Sequence, residues 1–173
     1  MNELFTIDRQ LFFLINHLPH NGLFDGLALF FSVVGTAGIM WVPLGLWLFF
    51  REEQKDRWFV FRLCALFFVA WGIIEEVVKP LVARPRPGLE LGAILVGSDP
   101  GNFSFPSSHA FIAWAGAVLL SGKEPRWRWA LYPIAAAISF SRIYMGVHYP
   151  LDVVAGAGLG WVVGNMLLRF SIT

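Results

Sequence analysis

The sequence predicts an all-α fold: a polytopic membrane helical bundle of about five transmembrane helices with an N-terminal interfacial helix. Three observations predict it. The 173 residues are 57% hydrophobic with a mean hydropathy of +0.62, too apolar for a soluble domain of this size. The apolar residues come in long runs separated by short charged or Pro/Gly-rich breaks. Lysines and arginines concentrate in one set of those breaks. No internal repeat or shift in composition divides the chain, so residues 1–173 are expected to form one membrane-embedded domain. The net charge of +1 carries no nucleic-acid signature, and no nucleic acid is expected as a partner. The single cysteine, Cys64, lies in an apolar run and reads as packing. The start has neither a basic n-region nor a small-residue cleavage site, so no signal peptide is expected.

Residues 4–18 place Leu4, Leu11, Ile15 and Leu18 roughly on one helical face, but Asp8, Arg9, Asn16 and His17 interrupt the run. The segment is too short and too charged to span, and it reads as the interfacial helix. His17 and His20 have a spacing that could hold a metal. With no acid or thiol cluster beside them, they read as interfacial polar residues. Residues 23–50 give one crossing, best read as two helices broken at Gly35-Thr36-Ala37-Gly38. A charged loop, residues 51–57, follows. Residues 58–79 form the next span, about 33 Å long at 1.5 Å per residue. It ends in Glu75, Glu76 and Lys79, charges that are costly in a membrane helix and ask for a partner or a function. Glu75 and Lys79 are spaced to pair along the helix; simple snorkelling to the interface is the structural alternative.

Residues 80–105 should be non-helical, since the prolines of Arg84-Pro85-Arg86-Pro87 stop a helix. So long a segment in a small bundle is expected to be functional. A third span over 106–121 opens with Pro106-Ser107-Ser108-His109, proline in the first turn and free N–H groups of 107–109 at the helix end. That end is an anion site sharpened by the helix dipole. A fourth span covers roughly 127–141 and a fifth roughly 150–170. Gly156, Gly158, Gly160 and Gly164 in the fifth suggest close helix–helix packing.

The chemistry-bearing stretch is Ser141 to Asp152. His148 and Asp152 are four apart, so a helix entered near His148 puts them on one face. A carboxylate there can take the Nδ1–H and leave Nε2 as nucleophile or base. Arg142 offers a planar fork of donors for phosphate or carboxylate. Taken alone, the same residues also fit a water-facing histidine and an acid on the helix dipole. Lys79, Arg84, Arg86, Ser107, His109, Arg142, His148 and Asp152 all fall at one end of the spans. Cations, a helix N-terminus and two histidines describe a site for a dianionic phosphoryl group. No carboxylate cluster stands by for a metal, so cationic side chains are expected to neutralise charge, with no metal and no cofactor.

These residues resemble the three-part signature of the type 2 phosphatidic acid phosphatase superfamily, membrane lipid phosphatases. K-x6-R-P is matched by Lys79 through Arg86-Pro87. P-S-G-H is matched by Pro106-Ser107-Ser108-His109, with serine where the family has glycine. S-R-x5-H-x3-D is matched by Ser141, Arg142, His148 and Asp152. The resemblance covers residues 79–152 and implies roles. His148 would attack phosphorus and form a phosphohistidine, and Asp152 would orient it. His109 would protonate the departing oxygen and then activate water. Lys79, Arg86, Arg142, Ser107 and Ser108 would hold the phosphoryl oxygens. Arg84 lies outside the signature, and either a second phosphate or a lipid headgroup would suit it. Vanadate-binding haloperoxidases share the motifs but resemble larger soluble proteins.

Arg51, Lys55, Arg57, Arg62, Lys123, Arg126, Arg128 and Arg169 lie at the end opposite the motifs, which predicts a cytoplasmic C-terminus and an extracytoplasmic site; the resemblance to bacterial envelope enzymes implies a bacterial inner membrane. The expected partners are the bilayer and a lipid phosphate. The resemblance favours polyprenyl diphosphate or lipid A 1-phosphate, ahead of phosphatidylglycerol phosphate and phosphatidate. The rival readings are a lipid phosphotransferase using the same intermediate and a non-catalytic lipid-phosphate binder or transporter.

Overall fold

The computed structural model describes residues 3–36, 40–51, 57–88 and 91–169. Helices account for its regular structure, with no strand among the described residues. In order they are α1 (Glu3–Asn16), α2 (Gly22–Gly35), α3 (Trp41–Arg51), α4 (Arg57–Phe68), a π-helical stretch (Val69–Val78), α5 (Lys79–Val82), α6 (Ser108–Lys123), a 3₁₀ turn (Pro125–Trp127), α7 (Arg128–Tyr144) and α8 (Pro150–Arg169). The expected break in 23–50 is present as the gap between α2 and α3. Its Ala37 and Gly38, and most of the charged loop after Arg51, lie outside the described residues.

Trp58–Val82 and Pro150–Arg169 are long and apolar enough to cross a membrane. Gly22–Gly35 is apolar but shorter, and α6 and α7 have 16 and 17 residues. Many large apolar side chains face outward, among them Leu14 at 70%, Phe68 at 71%, Trp71 at 72%, Leu81 at 79% and Trp129 at 77% exposure. Such a surface is untenable in water and ordinary against lipid tails.

Helix α6 is the hub. From Ala110 to Leu120 nearly every side chain is buried, and five of the buried positions are Ala or Gly, so neighbours approach its backbone closely. Helix α8 lies against it along Gly156, Gly160 and Gly164. A Cβ at Gly156 would stand 2.3 Å from the Ser107 carbonyl oxygen, and one at Gly160 2.3 Å from that of Phe111. The glycines are therefore a packing seam, as their spacing suggested; Gly158 has open space instead. The Ser107 N–H donates to the Asp152 carbonyl at 3.0 Å, pinning the N-termini of α6 and α8 together.

Two boundaries depart from expectation, and the fifth span begins where expected but after His148 rather than at it. The second span runs on through Pro80 to Val82. Pro80 is tolerated because it falls in the first turn of α5, where the ladder changes from π to α register and a missing N–H costs little. Ala83, in the left-handed region at φ 49°, then ends the helix. Helix α6 starts at Ser108, with Ser107 as its N-cap and Pro106 outside, so the proline is not in the first turn and the Ser107 N–H is not free. Helix α8 starts at Pro150, so His148 precedes it in a turn made by Gly146 at φ 77°. The Gly146 position lies so near the Ile94 carbonyl that a Cβ would come within 2.4 Å of it.

Helix α1 packs differently from a helix resting on a surface. Its inward positions are Asp8, Phe12 and Asn16, all buried, while Leu4, Leu11 and Leu18 point away from the protein. Asn16 holds the turn region in place, donating to the Ile94 and Tyr144 carbonyls and accepting from the Ile94 N–H, each at 2.8 Å.

Candidate active site

At the end of the bundle where α5 and α7 finish and α6 and α8 begin, a cavity of about 1050 Å³ opens. Lys79, Arg86, Ser108, His109, Arg142 and His148 line its polar part, with Glu75, Glu76 and Asn102. Phe67, Phe68, Ala70, Trp71 and Gly72 line the rest, so the cavity runs from the cations to the lipid-facing surface of the second span. Asp152, Arg84 and Ser107 stand behind this wall.

His148 is 1% exposed, with Arg86 at one ring nitrogen and Asp152 beyond hydrogen-bond contact at the other. Arg86 NH1 lies 3.1 Å from Nε2 and also donates to the Val147 carbonyl at 2.6 Å. A guanidinium can only donate, so Nε2 carries the lone pair and the ring proton is on Nδ1. Nδ1 lies 3.5 Å from Asp152 Oδ2. That is long for a hydrogen bond, as such contacts often are before substrate tightens them. Burial, then the charges of Arg86, Arg142 and Lys79, hold the His148 pKa well below 6.5. Burial and the cations therefore favour the neutral ring, with its lone pair on the nitrogen facing Arg86.

Asp152 is fully buried. Its Oδ1 accepts from Arg84 NH1 at 2.5 Å and its Oδ2 from the Tyr149 N–H at 2.9 Å. Arg84 therefore meets neither a second phosphate nor a headgroup. It bridges Asp152 to Asp8 of α1, also at 2.5 Å, and stacks over the Tyr149 ring at 4.2 Å. Asp8 Oδ1 accepts from the Leu151 N–H at 2.8 Å. A carboxylate–guanidinium–carboxylate bridge thus fixes Asp152 behind His148.

His109 sits in the first turn of α6. Its Nε2 lies 3.2 Å from Thr36 Oγ1, whose proton goes to the Ser32 carbonyl at 2.9 Å. Thr36 can then only accept, which places the His109 ring proton on Nε2. Ser32 Oγ receives Arg142 NH1. Arg142 is 5% exposed, and its Nε has no partner among the described residues, a donor oriented for an anion. Ser32 of α2 and Thr36, the residue that caps its C-terminus, hold an arginine and a histidine of the site.

Lys79, only 3% exposed, donates to Glu75 Oε1 at 2.8 Å, the expected pairing along the helix. Ser108 donates its hydroxyl to the same oxygen. Asn102 Nδ2 donates to Glu75 Oε2 at 2.9 Å. Asn102 in turn takes Arg86 NH2 on its side-chain oxygen at 2.5 Å and Arg86 Nε on its carbonyl at 2.9 Å. Burial lowers the Arg86 pKa. Ser107, fully buried, caps α6 through its hydroxyl to the Ala110 N–H at 3.4 Å and does not line the cavity.

Five polar residues of this arrangement were not among the expected site: Asp8, Ser32, Thr36, Glu75 and Asn102. Glu75 carried a signal, an acid inside a membrane helix. Ser32 and Thr36 are hydroxyls four residues apart in the apolar run 26–36, and Asp8 and Asn16 flank Phe12 at helical spacing. Asn102 lies in irregular backbone, where spacing carries no geometry.

A model of the PAP2 superfamily matches residues 63–173. The chain is 36% identical over 166 residues to the undecaprenyl-diphosphatase of Sulfolobus acidocaldarius, covering 94% of this chain and 76% of that protein. It is 31% identical over 172 residues to the lipid A 4'-phosphatase of Bacteroides thetaiotaomicron, covering 91% of this chain and 73% of that protein. Its fold is similar to the crystal structure of the first transmembrane PAP2 type phosphatidylglycerolphosphate phosphatase, from Bacillus subtilis, with a TM-score of 0.78 and 20% identity, covering 99% of this chain and 90% of that one.

Proposed function

The chain belongs to the PAP2 superfamily, and from this premise we propose that it is a membrane lipid phosphatase that works through a phosphohistidine on His148. The observation that carries this is one cavity joining His148, His109 and three cations to an apolar wall. A phosphoryl group held by Lys79, Arg86 and Arg142 exchanges cation–water contacts for charge-assisted hydrogen bonds. Arg86 NH1 moves from Nε2 onto a phosphoryl oxygen and frees the lone pair. The entering phosphoryl dianion offsets the surrounding cations and lets His109 take up a solvent proton on Nδ1; Nε2 of His148 then attacks phosphorus, the bond from phosphorus to the leaving oxygen breaks, and that oxygen takes the Nδ1 proton of His109. Asp152 stabilises the charge that develops on the His148 ring. Neutral His109 then accepts a proton from water, whose oxygen attacks phosphorus, and the P–N bond breaks to release phosphate. Since Nε2–H of His109 is held by Thr36, Nδ1 is the nitrogen that gains and gives up this proton. The cations neutralise developing charge, and the chemistry proceeds without a metal.

The apolar part of the cavity favours a lipid whose tail stays in the bilayer while its headgroup enters. Polyprenyl diphosphate leads the substrate classes, on the similarity to an undecaprenyl-diphosphatase, followed by lipid A phosphates. On this reading the bundle crosses the bilayer about five times, with the α2–α3 segment, α6 and α7 joining the two longest spans, Trp58–Val82 and Pro150–Arg169. Arg51, Lys123, Arg128 and Arg169 mark helix ends opposite the cavity, which favours an extracytoplasmic site and a cytoplasmic C-terminus.

Inorganic phosphate release by purified protein in detergent tests the reading, with chelator present. The panel holds polyprenyl diphosphate, lipid A 1-phosphate, phosphatidylglycerol phosphate and phosphatidate. Release is expected, with His148→Ala reduced by at least about a thousandfold in a folded protein. Wild-type rates in that variant would remove His148 as nucleophile, and activity that chelator abolishes and metal restores would overturn metal independence.

A further inference from the structure

Glu75 is a carboxylate inside a phosphate site, where repulsion of the substrate would be expected. Its contacts suggest a different role. Oε1 accepts from both Lys79 and Ser108, and Oε2 accepts from Asn102. Asn102 occupies the Nε and NH2 edge of Arg86, leaving NH1 to face His148. One acid therefore links the lysine at the end of the second span to an arginine seven residues further on, which lies in irregular backbone. Lys79 spends one of its three N–H donors on Glu75 and keeps two for a ligand.

The same contacts account for the serine at 108. Its only hydroxyl hydrogen goes to Glu75, so toward an incoming phosphoryl oxygen Ser108 presents lone pairs rather than a donor. Its hydroxyl serves the acid, not the phosphate. A glycine there could not, and the family departure at 108 and the acid at 75 act as one device.

We propose that Glu75 is a positioning residue: a brace, completed by Ser108 and Asn102, that presets Lys79 and Arg86 for the phosphoryl group. Gln at 75 cannot replace it, because all three neighbours donate and one edge of the amide is itself a donor. Asp keeps the charge and all four acceptor sites at a shorter reach. The inference rests on the phosphatase reading, so its test reads binding as well as turnover.

Stabilisation of the purified protein by inorganic phosphate, followed by thermal unfolding in detergent, measures site occupancy without catalysis. Melting without phosphate reports on folding. Glu75→Gln should weaken phosphate binding by about 10- to 100-fold, the size of a lost hydrogen bond to a charged group, and raise KM for a lipid diphosphate similarly. Glu75→Asp should recover most of that loss. Ser108→Gly should weaken phosphate binding in the wild type and have little effect in Glu75→Gln, since the two act through one contact. A folded Glu75→Gln that binds phosphate as well as or better than the wild type would overturn the brace. So would a Ser108→Gly loss of equal size in both backgrounds. Should Glu75→Gln not fold, unchanged phosphate affinity in Ser108→Gly overturns it alone. A wild type that releases phosphate from a lipid diphosphate yet is not stabilised by phosphate would overturn the brace alone; one that does neither would sink the phosphatase reading with it.

Discussion

Arg86 NH1 and Asp152 fix the protonation of His148 between them, and burial decides its charge. With the folded pKa depressed below the ordinary 6.5, the native ring binds its proton less readily than the unfolded chain does. The sign follows: the neutral ring contributes stability above pH 6.5, and that contribution is lost as pH falls below it, because the unfolded state then gains protons first. Ring ¹⁵N NMR of the ligand-free protein, with His148→Asn for assignment, should show His148 neutral at pH 6.5 and titrating only at lower pH. A midpoint at or above 6.5 would mean that Asp152 outweighs the cations. At this scale the sequence was highly informative about identity. Lys79, Arg86, Ser108, His109, Arg142 and His148 share one cavity. It was uninformative about partners: Ser107 caps a helix and Arg84 meets two acids, because a motif specifies residue types and spacing but not which way a side chain turns from irregular backbone.

The α6–α8 seam converts helix packing into site geometry. Asp152 lies one turn from Gly156, and Gly156 touches the carbonyl of Ser107, next to Ser108 and His109. Pushing the helices apart therefore separates the acid from the second histidine. Gly160→Leu, set against the Phe111 carbonyl, should cost roughly 1–3 kcal/mol or more of stability. It should lower kcat further than Gly158→Leu, which meets open space. Equal losses in the two variants, by thermal unfolding and phosphate release, would deny the seam this role. The helices themselves were legible from apolar runs and glycine spacing. The π-helical stretch was not, since a slip from i−4 to i−5 hydrogen bonding leaves no mark in hydrophobic period. It places Glu75 and, within the cavity, Ala70, Trp71 and Gly72, in keeping with the tendency of π segments to occur at functional sites.

Across the whole molecule, the bridge from Asp8 through Arg84 to Asp152 ties the first helix, the central loop and the last helix into one charged unit. Removing its centre leaves two buried carboxylates unpaired, so Arg84→Ala should destabilise by about 3–5 kcal/mol. Asp8→Asn keeps the Leu151 contact through its amide oxygen. It should spare most of the stability while lowering phosphate release several-fold, as Arg84 loses an anchor. Full activity in Asp8→Asn would show that Asp152 needs no support from α1. The sequence could not show this bridge: an acid interrupting an apolar helix looks like interfacial polarity until the fold shows Leu4 and Leu11 facing outward and Asp8 facing in. The consequence reaches laboratory practice. Because the segment outside every signature motif grips Asp152 behind His148, trimming or randomising the first helix to improve expression would, on the proposed mechanism, also select for or against turnover. A tag or fusion that pulls on that helix would register in the assay as a weakened catalyst rather than a misplaced anchor.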